Sequence, residues 1–358
     1  MSFTQAKARG GFVAAALTLL LAPASLSATE PHFFTTGEGQ KRAIELPSEA
    51  ALAIRVAATP RHGTLFIQRT VVVYSPVAGY FGRDSFEIEA QGASGELTLL
   101  RYEMRVLPRY LPIAGKLGWS EETVGLYDDA TQSFILCAEI VTVDQQLACW
   151  RYPVLGLDPA ALVPVLWPTK AHLETPALFD PEKGSLHLLT LSGNAFNISE
   201  SLDLPELAGA WPLFGDWNGT GRKTLAMVFE DGRVYQLGPG PWTLWPVLRP
   251  AEGGDAFVWP IRVPATDGKD AVAWVDTTSG KLTWLSCPAA SGCTTGSLAA
   301  HNPSDYRRPL RFDGLRGKIQ FLEELASGLE LIPDVYTVTV GNPQTIPVKF
   351  PDDPPGGG

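Results

Sequence analysis

The sequence predicts an all-β protein, a β-sandwich followed by a β-propeller of about five blades. Three observations lead there. Short alternating apolar runs, separated by Gly, Pro and Ser, fill residues 40–108 with no long 3.6-residue periodicity between them. Beyond residue 110, strand–turn–strand segments recur with starts at 123, 175, 224, 270 and 317. Charge and tryptophan content change at the same place. Residues 29–110 hold nine basic and nine acidic side chains, whereas 17 basic and 29 acidic side chains and all ten Trp lie beyond it. The run Leu107-Pro108-Arg109-Tyr110-Leu111-Pro112 is therefore the expected linker, with modules at 29–109 and 110–349.

The chain opens with Lys7 and Arg9, an uncharged stretch from Phe12 to Ala22, and the small-residue zone Pro23 to Ala28. A basic, an apolar and a small-residue region in that order read as a secretory signal peptide over 1–28, cleaved after Ser27 or Ala28. The apolar stretch is shorter than the roughly 20 residues a spanning helix needs. No later segment is long and apolar enough to span, so the mature chain is expected to be exported, periplasmic or extracellular, without a transmembrane segment. Its net charge of −10 argues against nucleic acid as a partner, because phosphate tracking needs clustered positive charge.

In the first module the expected strands are Ala43–Leu46, Leu52–Val56, Thr64–Ile67, Val71–Tyr74, Ser85–Glu89 and Leu97–Val106. Between them stand Pro60-Arg61-His62-Gly63-Thr64, then Tyr74-Ser75-Pro76, then Gly79-Tyr80-Phe81-Gly82-Arg83-Asp84-Ser85-Phe86. These submotifs, in this order, resemble the cadherin-like, Ig-like domains of large bacterial surface proteins. The resemblance implies an Ig-like sandwich acting as a spacer or adhesive module. Gly63, Gly79 and Gly82 are expected at positive φ, Asp84 on the turn backbone, Tyr74, Tyr80 and Phe86 in the core, and His62 in a turn rather than as a ligand.

The second module's five hairpins are spaced as propeller blades are. The third, Gly215-Asp216-Trp217-Asn218-Gly219-Thr220-Gly221-Arg222-Lys223-Thr224, resembles the FG-GAP or VCBS-type repeat of integrin-α-like propellers, and Val124–Thr131 resembles the following part of that repeat. Five copies allow a closed five-bladed ring or a larger one, with Tyr336-Thr337-Val338-Thr339-Val340 and Thr345-Ile346-Pro347-Val348 available to close it. The ending 350–358 reads as a flexible Pro/Gly tail.

The family's loop offers Asp-x-Asp-x-Asp-Gly-x-x-Asp oxygens to Ca²⁺. The equivalent positions here are Asp216, Asn218, Thr220 and Thr224, with a single carboxylate, so the expected calcium site is weak and no cofactor is required. Trp119, Trp217, Trp242 and Trp245 lie in or near polar turns. They are either ligand-stacking surfaces or packing between blades, and packing is the commoner role. No catalytic residues are assigned. The five His lack metal-ligand spacing, and neither a nucleophile elbow nor a phosphate loop occurs. The acidic pairs Glu121/Glu122, Asp128/Asp129 and Glu323/Glu324 read as solvated turns, since strand neighbours face opposite ways. Cys137, Cys149, Cys287 and Cys293 suit disulfides in an exported chain. Three connectivities are open, of which two local pairs are the simplest.

Together these features point to a non-catalytic binding or adhesion protein that recognises a protein or glycan through a propeller face. Two alternatives stay open: a glycan-directed hydrolase or lyase with an axial site, and a structural subunit of a larger surface or secreted assembly.

Overall fold

A computed structural model describes residues 27–28, 31–47, 53–92, 95–115, 123–138, 147–157, 161–168, 174–221, 223–229, 231–236, 243–244, 258–264, 270–276, 282–286, 294–298, 309–313, 318–325, 328–332 and 346–349. The chain is all-β: apart from one 3-10 turn at Pro205–Leu207, every described regular element is a strand. The expected tail at 350–358 and most of the expected signal segment lie outside the described residues.

The first module contains β1 (Ser27–Ala28), β2 (His32–Gly37), β3 (Arg42–Glu45), β4 (Ala53–Ala58), β5 (Gly63–Gln68), β6 (Val71–Pro76), β7 (Gly82–Gln91) and β8 (Leu97–Leu107). They form two sheets. One has the order β1-β8-β7-β4 with β2 also on β8, and the other the order β3-β6-β5. Strand alternation turns Phe86, Ile88 and Ala90 of β7 and Tyr102, Met104 and Val106 of β8 toward Ile44, Val72 and Tyr74 of the second sheet, giving one shared core. Phe86 stacks on Tyr102 at 4.9 Å between ring centroids.

Asp84 organises the turn beneath these rings. Its carboxylate accepts the backbone N–H groups of Arg61 (2.9 Å), His62 (3.0 Å) and Ser85 (2.9 Å) and the Tyr74 hydroxyl (2.9 Å). Four donors offset the cost of burying a carboxylate. Burial, reinforced by the Asp84 charge and hydrogen bond, pushes the Tyr74 phenol far above its ordinary range. His62 is a turn residue, stacked on Tyr80 at 4.1 Å, and Tyr80 is only half-buried against the core. Gly79 and Gly82 have positive φ, but Gly63 does not. Its constraint is close approach, since a Cβ there would lie 2.3 Å from Tyr74 Cε2.

The remainder of the chain is five four-stranded antiparallel units. They are β9–β12 (Tyr110–Gly115, Thr123–Asp128, Ser133–Ala138, Leu147–Leu155), β13–β16 (Val163–Pro168, Glu174–Asp180, Ser185–Ser192, Ala195–Asp203) and β17–β20 (Trp211–Gly215, Thr224–Val228, Val234–Gln236, Thr243–Leu244). Then come β21–β24 (Val258–Pro264, Asp270–Asp276, Leu282–Ser286, Thr294–Leu298) and β25–β28 (Pro309–Asp313, Lys318–Leu325, Gly328–Ile332, Ile346–Lys349). Each hairpin read from the sequence is the second and third strand of a unit. The leading strands touch in a cycle, β9 to β13 to β17 to β21 to β25 and back to β9. The outer strand β28 also pairs in parallel with β12, joining the last unit to the first. With a second parallel join between β12 and β16, three units merge into a twelve-stranded sheet, a nearly closed, barrel-like arrangement.

Turn chemistry sets the hairpins. In β14–β15, Asp180 Oδ1 accepts the N–H groups of Glu182 (2.9 Å) and Lys183 (3.1 Å). Gly184 then takes φ +72°, and a Cβ on it would strike Leu204 O at 2.3 Å. One apolar core runs through the first three units, including Tyr127, Phe134, Phe179, Leu186, Phe196 and Phe214. A second core, centred on Trp217, lies between the third and fourth units.

Candidate functional site

The connectivity gives the ring two distinct ends. At one, the first strand of each unit meets the second; at the other lie the β10–β11 and β14–β15 hairpins and the links between units. The Gly215–Thr224 loop with Trp217 belongs to the first end, and the amino-terminal module sits on the second.

At the first end the Gly215–Thr224 loop is closed from within. Asp216 Oδ1 accepts Thr220 N–H at 3.0 Å and Oδ2 accepts Gly221 N–H at 2.7 Å. The loop is also tied to the fourth unit: Asp216 N–H donates to Asp270 Oδ2 (2.6 Å), and Asp270 N–H donates to Asp216 O (2.9 Å). An ion pair between Lys223 and the buried Glu174 joins the second unit to the third.

Trp217 does not present a stacking surface. Its relative exposure is 0%, its Nε1–H donates to Thr224 O at 2.9 Å, and it packs with Ala226, Val228, Val234, Val272 and Leu285. Of the two roles read for Trp217, packing between units is the one the structure shows, and the ligand-stacking role is corrected. The turn is polar, but it folds the indole back onto β18, β19, β22 and β23, where its apolar area is worth most. Trp119, Trp242 and Trp245 lie outside the described residues.

The loop's fit to calcium rests on its oxygens. Asn218 Oδ1 and Thr224 Oγ1 are buried without a hydrogen-bond partner among the described residues. Against them, the only carboxylate of the set already closes the loop through two backbone donors, and Ca²⁺ takes six to eight oxygens. Among the described residues no group of three or more His, Cys, Asp or Glu could hold a metal ion. Asp216, Asn218, Thr220 and Thr224 thus offer a single carboxylate, already engaged by two backbone donors that close the loop as an Asx-type turn.

At the second end the structure assembles residues that sequence reasoning passed over. Asp128 and Asp129 are 0% and 3% exposed, which corrects their reading as a solvated turn. Asp128 receives Arg109 Nε (3.2 Å), Arg151 Nη1 (2.9 Å) and Thr131 Oγ1 (2.8 Å). Burial alone would raise its pKa, but these donors hold it below the ordinary carboxylate range. Asp129 has no such cation. It receives Gln40 Nε2 at 3.1 Å and Leu162 N–H at 3.3 Å, and burial, with the Asp128 charge beside it, pushes it up to about 7. Further along the seam, Glu182 accepts Thr35 N–H (3.0 Å) and pairs with Arg42, Arg105 Nη2 donates to Gly209 O (3.0 Å), and Arg109 N–H donates to Glu38 Oε2 (3.1 Å). The first module is docked on the ring, not spaced from it. A signal for this was present in the β14–β15 turn, whose Asp-Pro-Glu-Lys-Gly run fixes Glu182, but its partner lies 147 residues away.

The other expected residues distribute as follows. Cys137 and Cys149 stand directly opposite each other in β11 and β12, while Cys287 and Cys293 lie outside the described residues. Glu323 and Glu324 lie within β26, not in a turn, and Glu121 and Glu122 lie outside the described residues.

No family model matches the chain, and no curated protein matches it. Among solved structures, a triple arginine-to-alanine mutant of AofleA from Arthrobotrys oligospora is similar over 89% of this chain and 96% of its own, at 12% identity and a TM-score of 0.37. A protein titled putative phosphatase from Bacteroides thetaiotaomicron is similar over 87% of this chain and 82% of its own, at 10% identity and a TM-score of 0.35.

Proposed function

We propose that this chain is an exported, non-catalytic binding protein, an Ig-like sandwich docked on a five-bladed propeller of the FG-GAP or VCBS kind, that holds a protein or glycan on one propeller face. The observation that carries the reading is the cycle of contacts among β9, β13, β17, β21 and β25, each leading a four-stranded unit. Such a ring offers two end faces built from loops on rigid strands, the usual place for recognition residues. The amino-terminal module covers one end over the first two units, so the ligand face is the other, where the Glu174–Lys223 and Asp216–Asp270 contacts brace neighbouring units. The opposed positions of Cys137 and Cys149 favour a cross-strand disulfide and an oxidising compartment, leaving Cys287 to pair with Cys293.

A glycan and protein array probed with the mature chain, with and without Ca²⁺, tests this reading. Saturable binding unaffected by Ca²⁺ is the expected result. Hydrolysis of a polysaccharide without retained binding would replace it with the enzyme reading.

A further inference from the structure

The contact between the two modules carries an arrangement that binding by the ring does not require. Asp129 stands at the tip of the β10–β11 hairpin, buried between three parts of the chain. Gln40 reaches it from the β2–β3 turn, Leu162 N–H from the start of the second unit, and its own backbone N–H donates to Arg109 O at 2.9 Å. Gly37 lies so close that a Cβ there would sit 2.3 Å from Asp129 Oδ2.

The charged and titratable groups around it are Asp128 on its own hairpin, Arg109 and Arg151 bound to Asp128, the Tyr127 phenol, and Glu38 from the amino-terminal module, bound to Arg109 N–H. Both cations pair with Asp128. The Tyr127 hydroxyl is buried without a hydrogen-bond partner among the described residues. Among the described residues, an ionised Asp129 thus has two neutral donors, a neighbouring carboxylate and no cation bonded to it.

We propose that this junction is a proton-controlled latch, in which a neutral Asp129 holds the amino-terminal module closed on the ring and an ionised Asp129 loosens it. The sign follows from linkage. Burial in the docked structure pushes Asp129 up to about 7; the close packing of Gly37 on its carboxylate supplies part of that burial and outweighs the Gln40 hydrogen bond in this proposal, so the docked state binds the proton more tightly than the undocked one. The docked state is therefore favoured fully at acid pH. It loses up to roughly ten-fold in its equilibrium for each pH unit between about 4 and 7, then levels off. The contacts of Glu182 with Arg42 and Thr35 keep the far side of the seam joined, so the motion is a hinge about β2 rather than release.

Hydrogen exchange of the mature chain, read on a peptide covering residues 31–40 and corrected for intrinsic rate at each pH, tests the latch. Protection should fall from pH 5 to 7 in the wild type, and the slope should vanish in Asp129→Asn. In Gln40→Glu, which aims a second carboxylate at Asp129, the midpoint should move to higher pH. This variant keeps the test independent of whether the first one folds. A slope that persists in Asp129→Asn, as histidine titration elsewhere would leave it, overturns the proposal. So does protection in the wild type that is flat with pH, or a Gln40→Glu midpoint that does not move.

Discussion

Trp217 is where the ligand reading and the packing reading of an aromatic in a polar turn part most sharply. Its indole is the largest fully buried side chain among the described residues and bridges the third and fourth units through Val228, Val234, Val272 and Leu285. Truncating a buried Trp to Ala costs about 3–5 kcal/mol, from lost transfer energy and from the cavity left behind. Native stability is typically about 5–15 kcal/mol, so Trp217→Ala should remove a large share of it. Trp217→Phe keeps much of the apolar contact but removes the donor to Thr224 O, leaving that carbonyl short of one bond, for a loss of about 2 kcal/mol. Urea unfolding of the wild type and both variants, followed by far-UV circular dichroism, measures the series, and midpoints compared at a common slope give the differences. A loss under about 1 kcal/mol for Trp217→Ala, together with weakened ligand binding, would refute the buried geometry and restore the stacking role.

Three further outcomes follow from the same geometry. Glu182→Ala leaves the buried Thr35 N–H and Arg42 without their carboxylate and should cost about 2 kcal/mol; pairing it with Arg42→Ala in a double-mutant cycle should show coupling of about 0.5–2 kcal/mol. Asp84→Ala strips four donors of their acceptor beneath the Tyr74 and Phe86 rings, and should lower stability by about 3 kcal/mol, seen as a drop in melting temperature. Asp216→Ala opens the Gly215–Thr224 loop and should cost about 1–2 kcal/mol equally with and without Ca²⁺, and a wild-type melting temperature that climbs with millimolar Ca²⁺ would contradict the self-closed loop.

Much of the architecture was legible because β structure writes its period and its turns locally. The alternation in Ser85–Glu89 and Leu97–Val106, the Asp-Pro-Glu-Lys-Gly turn at 180–184 and the five recurring hairpins each depend on residues within a few positions of one another. Other features escaped for an equally physical reason. Gly63 looked like a turn glycine, but its constraint is the Tyr74 ring on the next strand. The pair Asp128/Asp129 looked solvated, as adjacent acids in a turn usually are, until Arg109, Arg151 and Gln40 were brought over it. Strand β2 was not anticipated, because His32–Gly37 is a strand by virtue of its parallel pairing with Tyr102–Leu107.

The sequence by itself determined the central hairpin of each unit, most strands of residues 40–108 and where those hairpins turn, since local sterics and side-chain periodicity decide these. Tertiary structure alone decided that the leading strands close a ring, that Trp217 is core, that Asp216 spends its carboxylate on its own loop, and that the first module is fastened to the ring. Those outcomes depend on partners tens to more than a hundred residues away, and burial, which sets the worth of each contact, exists only once such partners have met.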